Sequence, residues 1–343
     1  MQEALAAAPA TKVVEQLLQS LKPETEMAER LTMLAPLAWT ESHAGFEAML
    51  DVLAGLDAMQ LRSRSVRAAL DRELLPMLAA DSRRFRLLEK RLAKLPMGLV
   101  ALLTSAAAEL QRPETLGVFQ SAARLSPSLE RQVLEELSRR AYPALHQDRV
   151  QLILLARGQL ASRDVALRRT CVAALGNLGD VESFLDLARL LDDPDRSTQR
   201  AALAALQQLS GLQRAWQQPQ WLAWFEAEKA WLESVPELRS ELRSDDLYQA
   251  KAATRELAAH PLFAEQAVEQ FKLCMTHPDA GIRQLACEGL ASLKHPDATQ
   301  PLIDALRDRE QAVRDSALGG LQRVTGMDLG QQQHAWQQWW RSL

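Results

Sequence analysis

Two cysteines and two histidines in the C-terminal third of the chain have the residue types that bind zinc. Cys274 and His277 form the pattern C-x2-H, and Cys287 and His295 follow them. Thiolate and imidazole groups are common zinc ligands in proteins. However, each histidine precedes a proline at a predicted turn, and Cys287 aligns with apolar residues of the related segments described below. We therefore expect no metal site and no bound cofactor.

The rest of the sequence lacks the short motifs that mark common enzyme classes. It contains no glycine-rich phosphate loop, no G-x-S-x-G and no H-E-x-x-H. We therefore expect a protein without catalytic residues, which is not an enzyme.

The tryptophans could stack on nucleic-acid bases or grip a ligand. Trp221 and Trp224 recur at the same place in a second segment as Trp336 and Trp339, followed by Trp340. Aromatic side chains are mostly buried, and a recurring position is typical of shared packing. The pattern favours a core role, and it makes the C-terminal tryptophan-rich helix a candidate cap.

Charge is unevenly distributed along the chain, although the formal net charge is only −4. This value argues against a chain built mainly to coat nucleic acid. Residues 1–59 hold nine acids and three bases, whereas residues 60–95 hold ten bases and four acids. The basic segment could bind an acidic protein, nucleic acid or anionic lipid, through Arg62, Arg64, Arg67, Arg83, Arg84 and Arg86. Solvated helix faces neutralised by the acidic helices beside them are the favoured interpretation.

The composition indicates an all-α protein. Among 343 residues, 47% are hydrophobic and 24% are charged, while glycine (14) and tyrosine (2) are scarce. Alanine, leucine, glutamine, glutamate and arginine dominate, and these residues favour helices. No segment shows the alternating β-branched and aromatic pattern of a strand.

The sequence also bears on the compartment. The start has no basic segment before an apolar run, and no stretch approaches about 18 uninterrupted apolar residues, so we expect no signal peptide and no membrane insertion. An odd number of cysteines (Cys171, Cys274 and Cys287) within helical patterns indicates reduced, buried thiols. We expect a cytoplasmic protein.

A long internal repeat organises the C-terminal half. A shift of 115 residues aligns 162–225 with 277–340 without a gap, and places Leu175 on Leu290 and Asp193 on Asp308. Within each block, an offset of 31 places Arg169 on Arg200. Fixed periods of 20 to 50 residues are typical of stacked supersecondary units. Each unit contains two helical patterns separated by a turn such as "DDPD", so we predict stacked helical hairpins.

One unit shares its order of acidic, basic, small and apolar residues with HEAT repeats: Asp164-x3-Arg168-x5-Ala174-Leu175-Gly176-x-Leu178-Gly179-Asp180, then Leu187-x3-Leu191-x-Asp193-Pro194. It resembles in particular the bacterial short form of the phycobilisome-lyase (PBS lyase) type. "HPDAGIRQLACEGLASLKHPDATQPLIDALRD" and "REQAVRDSALGGLQRVTG" fit the same pattern. The resemblance is specific for 162–211 and 277–326, fair for 245–277 and weak before 150. It implies an armadillo-like α-α superhelix, a right-handed solenoid of helical hairpins.

The resemblance also implies a ladder of ion pairs between successive repeats. An aspartate in the turn and an arginine at the start of the second helix form this ladder in the family. Here the implied acids are Asp164, Asp195, Asp279 and Glu310, and the implied bases are Arg168, Arg283 and Arg314. Gln199 takes the arginine position in one repeat, where we expect the ladder to be interrupted.

Four segments follow from these patterns. Residues 1–161 form degenerate helical repeats or a separate N-terminal helical domain, and residues 162–225 form the first block of HEAT-like repeats. Residues 226–244 are a polar insert or helical linker that separates two stacks or bends the solenoid. Residues 245–343 form the second block, which ends in the tryptophan-rich cap.

The function favoured by these observations is a non-enzymatic scaffold or adaptor for another protein. Its concave face, lined by the second helices, would bind an extended or helical partner, with contact candidates Arg169, Arg200, Gln284 and Arg314. The alternative is a nucleic-acid-binding protein that resembles the HEAT-like DNA glycosylases and uses the basic segment 60–95. A chromophore lyase, or its partner, is suggested by the repeat subtype alone, and repeat type does not fix function.

Overall fold

The protein is all-α, as predicted. In the computed structural model, the described residues are 10–22, 25–141, 149–242, 244, 246–293 and 295–342. These residues form helices and turns without any β-strand. The chain divides into two compact units, Met1–Glu136 and Leu137–Leu343.

The first unit is a set of short helices. Its helices are α1 (Ala10–Ser20), α2 (Met27–Thr32), α3 (Leu34–Trp39), α4 (His43–Ala54), α5 (Arg64–Ala69), α6 (Leu75–Ala80), α7 (Arg83–Leu92), α8 (Met97–Glu109), α9 (Thr115–Ala123) and α10 (Pro127–Arg139), the last of which extends into the second unit. The core includes the fully buried rings of Phe46, Phe85 and Phe119. A π-helical turn, Leu70–Leu74, joins α5 to α6.

The second unit is a series of five helical hairpins and a final helix. The hairpins are α11 (Arg149–Gly158) with α12 (Val165–Leu178), α13 (Phe184–Arg189) with α14 (Arg196–Ser210), α15 (Gln218–Glu241) with α16 (Leu247–Ala258), α17 (Ala264–Cys274) with α18 (Ala280–Leu293), and α19 (Thr299–Ala305) with α20 (Gln311–Thr325). The final helix is α21 (Gln333–Ser342).

Neighbouring hairpins of the second unit pack through like helices. The second helix α12 contacts α14, and α16, α18 and α20 contact one another in sequence. The first helix α13 contacts α15, and α19 contacts α21. No hairpin of this kind can cover its apolar face alone, so stacking stabilises the array. The predicted solenoid of HEAT-like hairpins is confirmed in this unit.

Local signals in the sequence explain where the second helices begin and end. Asp164, Asp195 and Asp246 are N-cap residues whose carboxylates accept backbone N–H bonds from the first turn of α12, α14 and α16. Gly211 and Gly326 end α14 and α20 in the left-handed conformation, with φ of 72° and 69°. A side chain would be strained there, so glycine fixes these ends.

The segment predicted as a polar insert or helical linker, residues 226–244, lies largely within a long helix. Residues 226–241 belong to α15, a helix of 24 residues that begins before the segment. Trp231, Val235 and Leu238 lie on one side of this helix and are buried in the core shared with α16–α20. Pro236 lies inside the helix but on its exposed side. The segment is therefore the first helix of a hairpin, and the predicted limit at 225/226 falls within α15.

Candidate functional site on the second helices

The exposed side of the second helices α12, α14, α16, α18 and α20 is the candidate functional surface, called here the second-helix face. Four candidate contact residues come from these helices, and repeat spacing makes three of them equivalent. Arg169, Arg200 and Gln284 occupy one position of the repeat, which is Lys251 in α16 and Asp315 in α20. All five are exposed or half-buried. Arg314, the fourth candidate, occupies the preceding position and has a different role.

The residue that precedes the shared position, Arg168 in α12 and Arg283 in α18, holds the turns of the stack together. Arg168 Nε and Nη2 donate to the two carboxylate oxygens of Asp193 at 2.9 and 3.0 Å, and Nη1 donates to the carbonyl of Ser162 at 2.7 Å. In the second block, Arg283 forms the same bidentate pair with Asp308 at 2.7 and 2.8 Å. Charge-assisted bidentate bonds of this kind fix orientation as well as distance.

The implied ladder therefore exists, but with different acids. Asp193 and Asp308 are its carboxylates, rather than Asp164, Asp195, Asp279 and Glu310. Asp164, Asp195 and Asp279 instead accept backbone N–H bonds at the starts of α12, α14 and α18.

At the two remaining ladder positions, the side chain bonds the backbone of the preceding turn and pairs with no carboxylate of the described residues. Gln199 Nε2 donates to the carbonyl of Asp193 at 2.7 Å, which is the interruption predicted for this repeat. Arg314 Nη1 donates to the carbonyls of Asp308 and Arg309 at 2.6 and 3.0 Å. Arg314 is half-buried, and its Nη2 also donates to Oε1 of Gln311.

Ion pairing sets the ionisation of the ladder. Hydrogen bonds from the Arg283 guanidinium hold the pKa of Asp308 below its ordinary value, although partial burial acts in the opposite direction. Burial acts to raise the pKa of Asp193, but the hydrogen bonds from Arg168 and from the backbone N–H of Asp195, together with the charge of Arg168, outweigh it, so this pKa is lowered as well. Both carboxylates are therefore charged at neutral pH.

A groove runs between α18 and α20 on the second-helix face. It has a volume of about 580 Å³ and is lined by Gln284, Glu288, Ala312, Asp315, Ser316, Gly319 and Arg323. A β-carbon at Gly319 would meet no atom within 4 Å beyond its own helix. The groove is therefore open above Gly319, with the polar side chains Gln284, Glu288 and Asp315 along its sides.

Small residues allow the second helices to approach closely beneath this face. In the first block Gly176 faces Ala205, and a β-carbon at Gly176 would lie 2.8 Å from that of Ala205. In the second block the equivalent pair is Ala291 and Gly320, and a β-carbon at Gly320 would lie 3.3 Å from that of Ala291. Each contact contains one glycine, but on opposite helices. The exchange between blocks shows that the contact requires one missing β-carbon.

The charge of the face differs between its ends. Arg169 and Arg200 are exposed on α12 and α14. On α18 and α20 the exposed acids Glu288 and Asp315 line the groove together with the exposed Arg323. The face is therefore basic on the early hairpins and carries a net negative charge along the groove.

The basic segment 60–95 belongs to the first unit, where several of its arginines pair with acids. Arg67 Nε lies 3.2 Å from Asp71, and its Nη2 binds Glu109. Arg83 Nε lies 3.1 Å from Asp81. The favoured interpretation, helix faces neutralised by neighbouring acids, agrees with these pairs.

The remaining candidates of this segment differ in exposure. Arg62, Arg64 and Arg86 are exposed. Arg84 is only 5% exposed, and its guanidinium donates to the backbone carbonyls of Met77 and Glu41. Arg84 is thus a structural residue that a partner cannot reach, whereas the sequence pattern had placed it with the surface arginines.

The cysteine–histidine cluster has a structural explanation. His277 Nδ1 accepts the backbone N–H of Asp279 at 3.1 Å, and His295 Nδ1 accepts that of Asp297 at 3.3 Å, so both rings cap turns. Cys287 is fully buried in the core, and burial raises the pKa of its thiol to about 12. Within the described ranges, no three histidine, cysteine or acidic side chains converge as metal ligands.

The tryptophans are core residues in both blocks, as predicted. Trp221 and Trp336 are fully buried. Trp221 meets Phe184 edge-on, with ring centroids 6.0 Å apart, and Trp336 donates from Nε1 to the carbonyl of Gly330 at 2.8 Å. The C-terminal helix α21 packs against α19.

In the described part of the chain, no helix is both long enough and apolar enough to cross a membrane.

Comparison with known proteins identifies the repeats. Residues 235–322 match the family described as HEAT repeats, and residues 167–193 match the PBS lyase HEAT-like repeat. No curated protein matches the chain.

Several solved structures are similar to the chain over most of its length. One is an engineered protein, at 16% identity and a TM-score of 0.34, covering 94% of this chain and 92% of the other. Human deoxyhypusine hydroxylase in complex with glycerol has 15% identity and a TM-score of 0.25, covering 94% and 100%. Computationally designed armadillo repeat proteins for modular peptide recognition have 16% identity and a TM-score of 0.24, covering 60% and 98%. At these identities and TM-scores, the likenesses carry no functional implication.

Proposed function

Since this chain is a HEAT-repeat protein of the PBS lyase type, we propose that it is a non-enzymatic scaffold that binds another protein through its second-helix face. The observation that carries this proposal is the groove between α18 and α20. It is open over Gly319 and edged by polar side chains that face solvent rather than the core.

Different polar residues stabilise the stack and face solvent, and this difference supports the proposal. The ladder arginines Arg168 and Arg283 and their aspartates are committed to holding the turns. The next residue in each repeat, such as Gln284 in α18, is turned to solvent on the second-helix face. Partner binding there would not disturb the contacts that stabilise the stack. The sequence therefore separates residues for stability from residues available for recognition.

The buried cysteine thiols support a location in a reducing compartment such as the bacterial cytoplasm. Cys171, Cys274 and Cys287 are all buried. Burial raises the pKa of Cys274 to about 11, so its reactive thiolate is scarce at neutral pH. These thiols serve packing rather than catalysis in the function proposed here.

Capture of partners from the native cells, with and without nuclease, tests the proposal. Gly319→Trp places a large side chain into the groove, where a β-carbon meets open space. Gly158→Trp is the matched control, because Gly158 also faces open space but ends the first helix α11. Circular dichroism establishes that both variants fold.

We expect a protein captured in fixed ratio by the wild type and by Gly158→Trp, and lost from Gly319→Trp. Equal capture by all three forms would remove the groove as the binding surface. Capture abolished by nuclease would favour nucleic acid as the partner. Charge reversal would then be tested at the exposed residues Arg62, Arg64 and Arg86.

A further inference from the structure

An exposed tyrosine interrupts a row of small residues on the second-helix face. Tyr248 on α16 is 82% exposed. The equivalent positions of the other second helices are Ala166, Ser197, Gly281 and Ala312. Small residues leave the face open in four hairpins, and only α16 adds a large ring. Tyrosine is enriched at the energetic centres of protein interfaces, because it combines a rigid apolar ring with a polar hydroxyl.

Two bases accompany Tyr248 on the following turns of α16. Residues three, four and seven positions apart lie on one side of a helix, so Lys251 and Arg255 share the side of Tyr248. Lys251 passes over Gly281 of α18, where a β-carbon would lie 3.4 Å from Nζ. Its ammonium is 4.0 Å from the Asp279 carboxylate, the limit of an ion pair. Arg255 is exposed and forms no ion pair among the described residues.

The sign of the charge reverses across the next two second helices. Glu288 on α18 occupies the position of Arg255, and Asp315 on α20 occupies the position of Lys251. Both acids are exposed along the groove, and with Arg323 of α20, which also lines it, they leave a net negative charge there. Packed helices are about 8–10 Å apart, so α16 and α20 are separated by roughly 20 Å. An extended peptide rises about 3.3 Å per residue and covers this distance with about six residues.

We propose that the surface of α16, α18 and α20 binds an extended peptide segment of about six residues with opposite charges at its two ends. An acidic residue of the segment faces Lys251 and Arg255, and an apolar side chain lies against Tyr248. A lysine or arginine of the segment faces Glu288 and Asp315. This inference rests on the proposed scaffold function and specifies the chemistry of the partner.

The same charges favour a peptide over a nucleic acid. A phosphate backbone is negative along its whole length, so Glu288 and Asp315 would repel it while Lys251 and Arg255 attracted it. A peptide with an acidic and a basic end complements both parts of the surface. Complementary charge mainly sets the orientation and the rate of binding, while the tyrosine supplies the buried contact.

Selection from a display library of random 12-residue peptides against the full chain tests this inference. We expect the selected peptides to be enriched in Asp and Glu at one end and in Lys and Arg at the other. Fluorescence anisotropy of the best labelled peptide then measures its affinity for each variant. Tyr248→Ala should weaken binding at least tenfold, on the order expected for an interface tyrosine. Its side chain is exposed, so the variant should fold like the wild type.

A charge-reversal variant tests the orientation. The double variant Lys251→Glu with Arg255→Glu should no longer bind the selected peptide. A new selection against this variant should give peptides that carry basic residues in place of the acidic end. The matched control, Lys229→Glu with Lys272→Glu, makes the same charge change on exposed positions of the first helices α15 and α17. The control should bind the selected peptide within twofold of the wild type.

Three outcomes would overturn the inference. They are a library that gives no binder, selected peptides without the two charged ends, or affinities unchanged by Tyr248→Ala and by the charge reversal. Stronger binding of a 20-nucleotide single-stranded DNA, lost in the same reversal, would assign the surface to nucleic acid instead. The scaffold proposal is judged separately, by the loss of a captured protein in Gly319→Trp.

Discussion

Adding one methyl group at Gly176 tests the equivalence of the two repeat blocks. A β-carbon at this position would lie 2.8 Å from the β-carbon and 2.9 Å from the α-carbon of Ala205 on the next second helix. The α-carbon belongs to the backbone and cannot rotate away, so the two helices must separate. Overpacking costs about 1–3 kcal/mol, and replacing a helical glycine by alanine returns about 1 kcal/mol. Because the clash involves backbone, we expect Gly176→Ala to lower the free energy of unfolding by about 2 kcal/mol.

The second block supplies the compensating change. There the alanine is Ala291 and the glycine is Gly320, the reverse of Gly176 and Ala205. Ala205→Gly alone should cost about 2 kcal/mol, from lost helix propensity and one lost buried methyl group. In the double variant Gly176→Ala with Ala205→Gly, the propensity changes cancel and the clash between the two β-carbons is removed, while the 2.9 Å approach to the α-carbon of residue 205 remains. We expect the double variant to lose about 2 kcal/mol, clearly less than the sum of about 4 kcal/mol.

Urea unfolding followed by tryptophan fluorescence measures these differences. Trp221 lies in the same part of the stack, on the helix that follows α14, and its fluorescence reports this region. A double variant as unstable as the sum of its single changes would refute the reasoning. The two blocks would then share a sequence pattern without sharing the close contact between their second helices.

Three further predictions concern single side chains of the second unit. In urea unfolding, Gly319→Ala should raise the free energy of unfolding by about 0.5–1 kcal/mol. Gly320→Ala should be at least 1 kcal/mol less stable than Gly319→Ala, because its β-carbon would lie 3.0 Å from a neighbouring side chain. Equal stabilities of the two variants would contradict the packing. The pKa of Asp308 is lowered in the folded protein. The contribution of this carboxylate to the free energy of unfolding is therefore complete above the pKa of the unfolded chain, about 3.9, and is lost as the pH falls through the folded pKa. Arg283→Gln should therefore reduce the loss of stability measured between pH 5 and pH 2. An unchanged pH dependence of the stability would contradict a contribution of this ion pair to stability in acid. Cys287, with its pKa raised to about 12 by burial, should react with a thiol reagent at pH 8 only after denaturation, and rapid labelling of the folded protein would contradict its burial.

The repeat architecture could be predicted from the sequence because its signals are local and periodic. Leu175 and Leu290 align at a spacing of 115 residues, and both are fully buried. Gly211 and Gly326 align in the same way, and both end a second helix in the left-handed conformation. Burial and helix termination depend on residue type and position, so alignment of the sequence carries them directly.

The acids of the ladder were harder to predict because two aspartates lie close together in each turn. Asp193 and Asp195 are two residues apart, and either could have met Arg168. The geometry of the turn decides that Asp195 caps α14 and Asp193 meets the arginine. Such a choice depends on the three-dimensional path of the turn, which residue type alone does not specify.

The buried position of Arg84 was likewise not predicted, because charged residues are usually exposed. Arg84 lies among exposed arginines in the sequence, but its guanidinium is buried against two carbonyls. Tyr248 was missed in the opposite way, because a single tyrosine in a polar segment gives no periodic signal. Alignment with Ala166, Ser197, Gly281 and Ala312 would have marked it as the exception among small residues.

Photo-crosslinking in the native cells tests the central claim most directly. A photo-reactive amino acid is introduced in place of Gly319, in the open groove, or in place of Gly158, on a first helix. The interpretation developed here predicts a specific protein adduct from position 319 that is absent from position 158. Adducts from position 158 alone, or adducts to nucleic acid from position 319, would contradict a protein-binding second-helix face.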